Sequence, residues 1–261
     1  MSYETILFAV HDGVATITLN RPESLNAFND QMITETTDAF KQAGRDKAVR
    51  CIVITGSGRG FSAGQDLKDV MQRGASISIG DHLRHGYNQL VMRMVTLEKP
   101  IIGAINGVAA GAGCSVALAA DLRLASDKAS FIQAFSKVGL VPDSGSTWML
   151  PRLIGYPRAY QMAITADRVD AATALAWGLV NEVVPADQLA EITAAWAARL
   201  AAGPTLAFGL TKRAMGASWS KTLAESLEYE AQLQDIAARS HDSREGVAAF
   251  IEKRPAQYRG E

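Results

Sequence analysis

An α/β core followed by a largely helical C-terminal part is the fold class this sequence predicts, and three observations predict it. Short apolar runs rich in β-branched residues recur through the first half of the chain. Between Arg50 and Ser126 these runs alternate with loops and helix-length segments, as strands joined by crossover connections do. Beyond Pro151 the pattern becomes nearly all helical and rich in alanine.

In chain order, "ETILFAV" and "VATITLN" flank His11-Asp12-Gly13 and read as a hairpin with a glycine turn, ended by Arg21-Pro22. Met32, Ile33, Thr36, Phe40 and Ala43 lie near the 3.6-residue spacing, which predicts a helix from about Asp30 to Gly44. "RCIVIT" is a buried strand that enters the loop "GSGRGFSAGQDL". The polar stretch Lys68 to Gly80 reads as a mobile loop, and a helix follows from about Asp81 to Leu97. "IIGAIN" is a second buried strand, opening into "GVAAGAG" and an Ala-rich helix that ends near Ala120; "DLRLAS" is a third strand. Amphipathic helices are expected at Pro185–Ala202, Pro204–Met215 and Lys221–Ser240. The 261 residues suit one large domain with an appendage, divided here into a core at 1–200 and a helical region at 201–261.

Composition narrows the function classes. A net charge of −1 without a basic stripe argues against a nucleic-acid partner. Two cysteines, Cys51 and Cys114, make no disulfide framework, so a reducing, cytoplasmic setting is expected. "MSYETILFAV" lacks the basic start and apolar core of a signal peptide. The run "PIIGAINGVAAGAGCSVALAAD" is interrupted by four glycines and Asn106, and reads as loop plus buried helix; no membrane partner is expected.

Two loops share one logic. In "FSAGQDL" and "GVAAGAGCS" a strand delivers the chain into small residues and a helix starts. Small residues allow close approach to the backbone, and a helix start leaves N–H groups unpaired. Two such loops side by side can aim two donors at one oxygen; alternatively, the glycines shape turns and tight packing. No G-x-G-x-x-G follows the first strand, which disfavours dinucleotide binding. In "GLVPDSGSTW" Asp143 is the one acid, and by spacing it either caps the next helix or acts as a base.

"IIGAINGVAAGAGCSVALAADLRLAS", with "GFSAGQDL" and "NRPESLNAFN", resembles the crotonase superfamily, also called the enoyl-CoA hydratase/isomerase family. The resemblance implies a core of repeated ββα turns, a C-terminal helical trimerisation region, and a homotrimer or dimer of trimers. It implies acyl-coenzyme A thioester substrates, an enolate-like intermediate, and no metal or cofactor beyond the coenzyme A of the substrate. Its oxyanion-hole positions fall on the backbone N–H groups of Gln65 and Ala112. Around them Ser62, Ala63, Gly64, Asp66, Leu67, Gly111, Gly113, Ser115 and Phe135 are the expected substrate-binding positions.

The resembling hydratases use two glutamates, and this chain has Ser115 at the first position and no acid at or beside Phe135, the second. A hydroxyl does not replace a carboxylate base near neutral pH without an activating partner. In the resembling isomerases a single acid sits where Asp143 stands, and that acid is the expected catalytic residue. "AFSKVGLVPDSGSTWMLPRL" and "REGVAAFIEKRPAQY" further resemble the isomerases that convert ring-1,2-epoxyphenylacetyl-CoA to the oxepin-CoA and move a 3,4 double bond into conjugation. The expected activity is therefore acyl-CoA isomerisation. An enoyl-CoA hydratase working through Ser115 or a bound water, and a non-catalytic acyl-CoA-binding homologue, are the alternatives.

Smaller expectations accompany these. Val141, Pro142, Trp148 and Met149 supply apolar surface to desolvate Asp143. Asp66 reads as a helix cap or, alternatively, as a direct substrate contact. Arg21 and Lys68 are either contacts for coenzyme A phosphates or solvated charges. Phe28, Phe131, Phe135 and Trp148 are core residues, one or two of them lining an acyl site. His82 and His85 read as surface.

Overall fold

The computed structural model describes residues 3–67, 69 and 78–261. β1 (Ile6–His11) and β2 (Val14–Leu19) pair antiparallel around Asp12 and Gly13, both at positive φ, as a two-residue hairpin turn requires. α1 (Asp30–Arg45) starts where the Asn29 side chain accepts from the Met32 N–H at 2.9 Å. It buries Met32, Ile33, Thr36, Ala39, Phe40 and Ala43, the predicted stripe with Ala39 added.

From β3 (Cys51–Gly56) onward the chain alternates between two sheets. β3, β5 (Ile101–Ile105), β7 (Leu122–Ser126) and β10 (Glu182–Val184) extend the hairpin in parallel, in the order β1-β2-β3-β5-β7-β10. β4 (Gly60–Ser62), β6 (Val108–Ala110), β8 (Ser130–Ile132) and β9 (Val169–Asp170) form a second sheet in that order, with only β9 antiparallel. Each turn thus runs long strand, short strand, then helix or loop. The sequence pattern reads β4 and β6 as loop and does not show β8, because strands of three residues are too short to show a period.

The central strands β3 and β5 are buried on both faces, so they read as continuous apolar runs. Ile52, Ile54, Ile101 and Ile105 enter the main core with Phe28, Phe40 and Phe61. Cys51, Val53, Ile102 and Ala104 face Leu189, Ala197 and Ala201 of α8 (Leu189–Ala201).

The helix expected over Asp81 to Leu97 is two helices, α2 (Ile79–His85) and α3 (Tyr87–Thr96), broken at Gly86. A Cβ at Gly86 would fall 2.9 Å from the His82 carbonyl oxygen. Most of the predicted loop Lys68–Gly80 lies outside the described residues; its last two residues begin α2. α4 (Ala112–Leu118) follows β6, and α5 (Ser146–Ile154), α6 (Tyr156–Thr165) and α7 (Ala171–Trp177) follow β8. After α8 come α9 (Thr205–Ser218), α10 (Leu223–Ala238) and α11 (His241–Glu252). α10 opens with a capping box between Thr222 and Glu225. α11 was not expected as a separate helix; Ser240 caps it at Ser243 N.

Candidate active site

The loop after β4, the β6–α4 junction, the segment before α5, and α2 with α3 enclose a cavity of about 210 Å³. Asn26, fully buried, shapes the β3–β4 connection that leads into the first of these: its amide donates to the Ser57 and Gly60 carbonyls at 2.9 Å each and accepts from Arg21 N–H. Asn106 holds the same loop from the other side, donating to Gly58 O and Gly60 O. These bonds explain the polar residues within "NRPESLNAFN" and "IIGAIN". Beyond β4 the backbone bridges Phe28, with Phe28 N–H donating to Gly64 O at 2.7 Å and Asp66 N–H to Phe28 O at 2.8 Å. Because neighbouring peptide groups in an extended segment point oppositely, Gln65's own N–H turns away from Phe28, toward the cavity that Gln65 lines.

The second loop meets the first through two glycines. A Cβ at Gly64 (φ +96°) would stand 2.6 Å from Ala110 O and 3.4 Å from Ala112 N. A Cβ at Gly113 would stand 2.6 Å from Ser62 O. Only glycine permits this approach. Ala112 is the first residue of α4, so its N–H has no acceptor within the helix. Gln65 and Ala112 therefore bring two backbone donors to one cavity wall.

Asp143 lines the same cavity. Its carbonyl accepts from Ser146 N–H at 3.0 Å and from the Ser115 hydroxyl at 3.1 Å, and the Ser115 and Ser146 hydroxyls meet at 2.5 Å. Ser115 lies one turn along α4 from Ala112, so one helix positions both a donor and the acid. The Asp143 side chain makes no capping bond to α5, whose N-cap is Gly145; its Oδ1 accepts from the Ser144 hydroxyl at 2.8 Å. Desolvation raises the carboxyl above the usual aspartate range, against the lowering effects of the Ser144 bond and His82.

The apolar surface near that carboxyl differs from the expected set. Phe135, Val138 and Leu140 line the cavity with it, whereas Val141 is 78% exposed. Trp148 is 47% exposed, because α5 turns it outward to meet Trp219 edge-on at 6.1 Å beneath the Arg152 guanidinium.

Among the expected substrate positions, Ala63, Leu67, Gly111 and Phe135 lie on the cavity wall. Ser62, Gly64, Gly113 and Ser115 lie behind it and support it. Ser62 is buried with its hydroxyl on Asn26 O, and buried Ser115 binds backbone rather than facing the cavity. Asp66 pairs with Arg21 at 2.9 Å, and Arg21 also donates to Ala27 O, so that arginine is tied to its own loop. Lys68 lies outside the described residues. Phe28 and Phe131 are fully buried core residues. His85 is largely exposed, bonded to Asp81 O.

His82 is not simple surface. It lines the cavity with Ile79, Leu83 and Tyr87, none of which the sequence reading proposed. The signal was present: Leu83, Tyr87, Leu90 and Met94 recur at three to four residues, and His82 sits beside that stripe. Burial pushes the Tyr87 phenol well above its ordinary range, and Asp143, Asp30 and Asp66 add to the effect. Among the described residues no cluster of His, Cys, Asp and Glu converges as a metal site would require.

Residues 9–261 match the family model described as enoyl-CoA hydratase/isomerase. The chain belongs to that family. Its members are enzymes acting on coenzyme A thioesters, isomerases or hydratases. The chain is 46% identical over 259 residues to the 1,2-epoxyphenylacetyl-CoA isomerase of Escherichia coli K12, covering 98% of this chain and 99% of that one. It is 45% identical over 260 residues to a protein of Rhodobacter capsulatus named "Probable enoyl-CoA hydratase", covering all of both chains. The crystal structure of an enoyl-CoA hydratase from Bacillus anthracis superposes with a TM-score of 0.90 at 32% identity, over 99% of this chain and 100% of that one.

Proposed function

We propose that this protein is an acyl-CoA isomerase with Asp143 as its single acid–base group and the Gln65 and Ala112 N–H groups as its oxyanion hole. One observation carries the reading: among the described residues, Asp143 is the one carboxylate that lines the cavity. The positions where a hydratase would carry its glutamates are occupied by Ser115, buried behind the wall, and Phe135, an apolar part of it.

The chemistry then runs as a proton shuttle. Asp143 takes a proton from the α-carbon of a 3-enoyl thioester, and the electron pair moves onto the thioester oxygen. The two N–H donors hold that oxygen as an enolate. The carbonyl re-forms, the double bond settles between the α- and β-carbons, and Asp143 returns the proton to the γ-carbon. This sequence needs no group beyond the thioester itself. A raised carboxyl is a better base than a free aspartate, though less charged at low pH. The similarity to the Escherichia coli isomerase supports ring-1,2-epoxyphenylacetyl-CoA, yielding oxepin-CoA, as a substrate alongside 3-enoyl thioesters.

The test is Asp143→Asn, assayed on 3-enoyl, ring-epoxide and 2-enoyl CoA thioesters. Loss of double-bond migration on the order of 10³-fold, with thioester binding retained, is expected. Migration that survives the change would overturn the assignment, and hydration of the 2-enoyl thioester independent of Asp143 would favour the hydratase alternative.

A homotrimer, or dimer of such trimers, is part of the same proposal. Val247, Phe250 and Ile251 of α11 are 60%, 86% and 72% exposed, a row of apolar side chains that supports assembly through the 201–261 region. Light scattering on the purified chain tests it, and a monomeric mass would exclude it.

A further inference from the structure

Gln65 carries more bonds than a backbone donor requires. Its side-chain nitrogen donates to Phe28 O at 3.1 Å, and a carbonyl oxygen only accepts, so the orientation of the amide is determined. Its Oε1 therefore faces the Tyr87 hydroxyl at 2.8 Å and His82 Nε2 at 3.2 Å. Both partners donate to it, which places a proton on His82 Nε2. The other ring nitrogen, Nδ1, lies 3.4 Å from Asp30 Oδ1 on α1.

We propose that His82, packed beside Asp30, acts with Tyr87 as a positioning residue that locks the Gln65 side chain and thereby aims the Gln65 peptide N–H at the substrate's thioester oxygen. The proposal rests on the enolate reading of the cavity. The mechanical reason is local. Gln65 follows Gly64, a residue at φ +96°, and its side chain ties the same peptide to α2 and α3 as well as to Phe28. Small displacements of a donor matter, since misplacing a reacting contact by about 1 Å costs on the order of 10²-fold in rate.

The experiment measures wash-in of solvent deuterium at the α-carbon of phenylacetyl-CoA, a thioester with acidic α-protons and no double bond to move. His82→Ala, His82→Gln, Tyr87→Phe and Asp143→Asn are compared with the unaltered protein, alongside thioester Kd and thermal midpoint. His82→Ala should slow exchange about 10- to 100-fold with little change in Kd. His82→Gln keeps a donor at the reach of Nε2, and should restore most of the rate. Tyr87→Phe should also slow exchange with Kd little changed. Unchanged exchange in His82→Ala, a His82→Gln rate no better than that of His82→Ala, or losses that merely follow Kd and thermal midpoint would each overturn the positioning role. Exchange surviving in Asp143→Asn would instead overturn the enolate reading, so the two failures are distinguishable.

Discussion

The six-stranded sheet is built mostly from strands of five or six residues that bury Ile, Val and Ala between the main core and α8. The four-stranded sheet uses strands of two or three residues, among them Gly-Phe-Ser and Val-Ala-Ala. One sheet contributes apolar area; the other ends three of its four short strands at the cavity, β4 in the Gln65 loop, β6 at the Ala112 helix start and β8 in the segment that leads to Asp143. The contrast separates stability from chemistry: the small sheet can be poor in side chains because it offers backbone.

Substitutions can break or sharpen that contrast. The largest expected effect is at Asp143, where the asparagine variant should lose turnover without losing the fold. Ionised Asp143 is disfavoured in the folded state, because burial raises its carboxyl above the unfolded value. Stability tied to the protonated form is fully present at low pH and is lost as pH rises through the raised folded-state value. Asp143→Asn removes that loss, so its thermal midpoint should equal or exceed that of the unaltered protein at neutral pH. A clear drop in midpoint would give the acid a structural role and blur the division.

Ile54→Ala in the large sheet is expected to cost about 2–5 kcal/mol of stability in denaturant titration. Turnover per folded molecule should stay nearly constant, and a matching fall in turnover would show that the two sheets are not separable. Gly64→Ala lies in the loop that follows β4 of the small sheet and should lower turnover even per folded molecule. Its Cβ meets Ala110 O, and its φ of +96° disfavours alanine, so the loop that carries Gln65 must shift. A loss of turnover on the order of 10²-fold is expected.

Ser115→Ala is subtler, since it deletes the hydroxyl that reaches Asp143 O and Ser146. About a tenfold fall in kcat with KM little changed is expected, through displacement of the acid. Wild-type kinetics would instead mean that α5 alone fixes Asp143. The smallest effect is the pH dependence itself. As pH falls, Asp143 takes up a proton and ceases to be a base, and because its carboxyl is raised this acid limb should lie above about 3.9, the free aspartate value. An acid limb at or below that value would count against desolvation at the site.

Legibility followed the same division. The hairpin, α1 and the three long central strands were visible because burial imposes a period or an apolar run on the residues themselves. The two donor loops and Asp143 were visible as strand-to-helix junctions and as one acid in an apolar turn, helped by the family resemblance. The short strands were hidden, since three residues are too few to carry a pattern. The break at Gly86 was hidden as well, because it depends on how closely His82 O approaches.

The sequence alone was enough for an α/β core, for two glycine-rich loops able to present backbone donors, and for Asp143 as the one acid of its turn, because these follow from local composition and spacing. Whether Ser115 faces substrate or braces the acid, whether Asp143 caps a helix, and whether His82 is surface or cavity were decided only by the fold. Each turns on which groups from distant segments come within hydrogen-bond distance. Asp30, Gln65, His82 and Tyr87 are separated along the chain by up to 57 residues (87 − 30), and only the packing of α1, α2 and α3 brings them together.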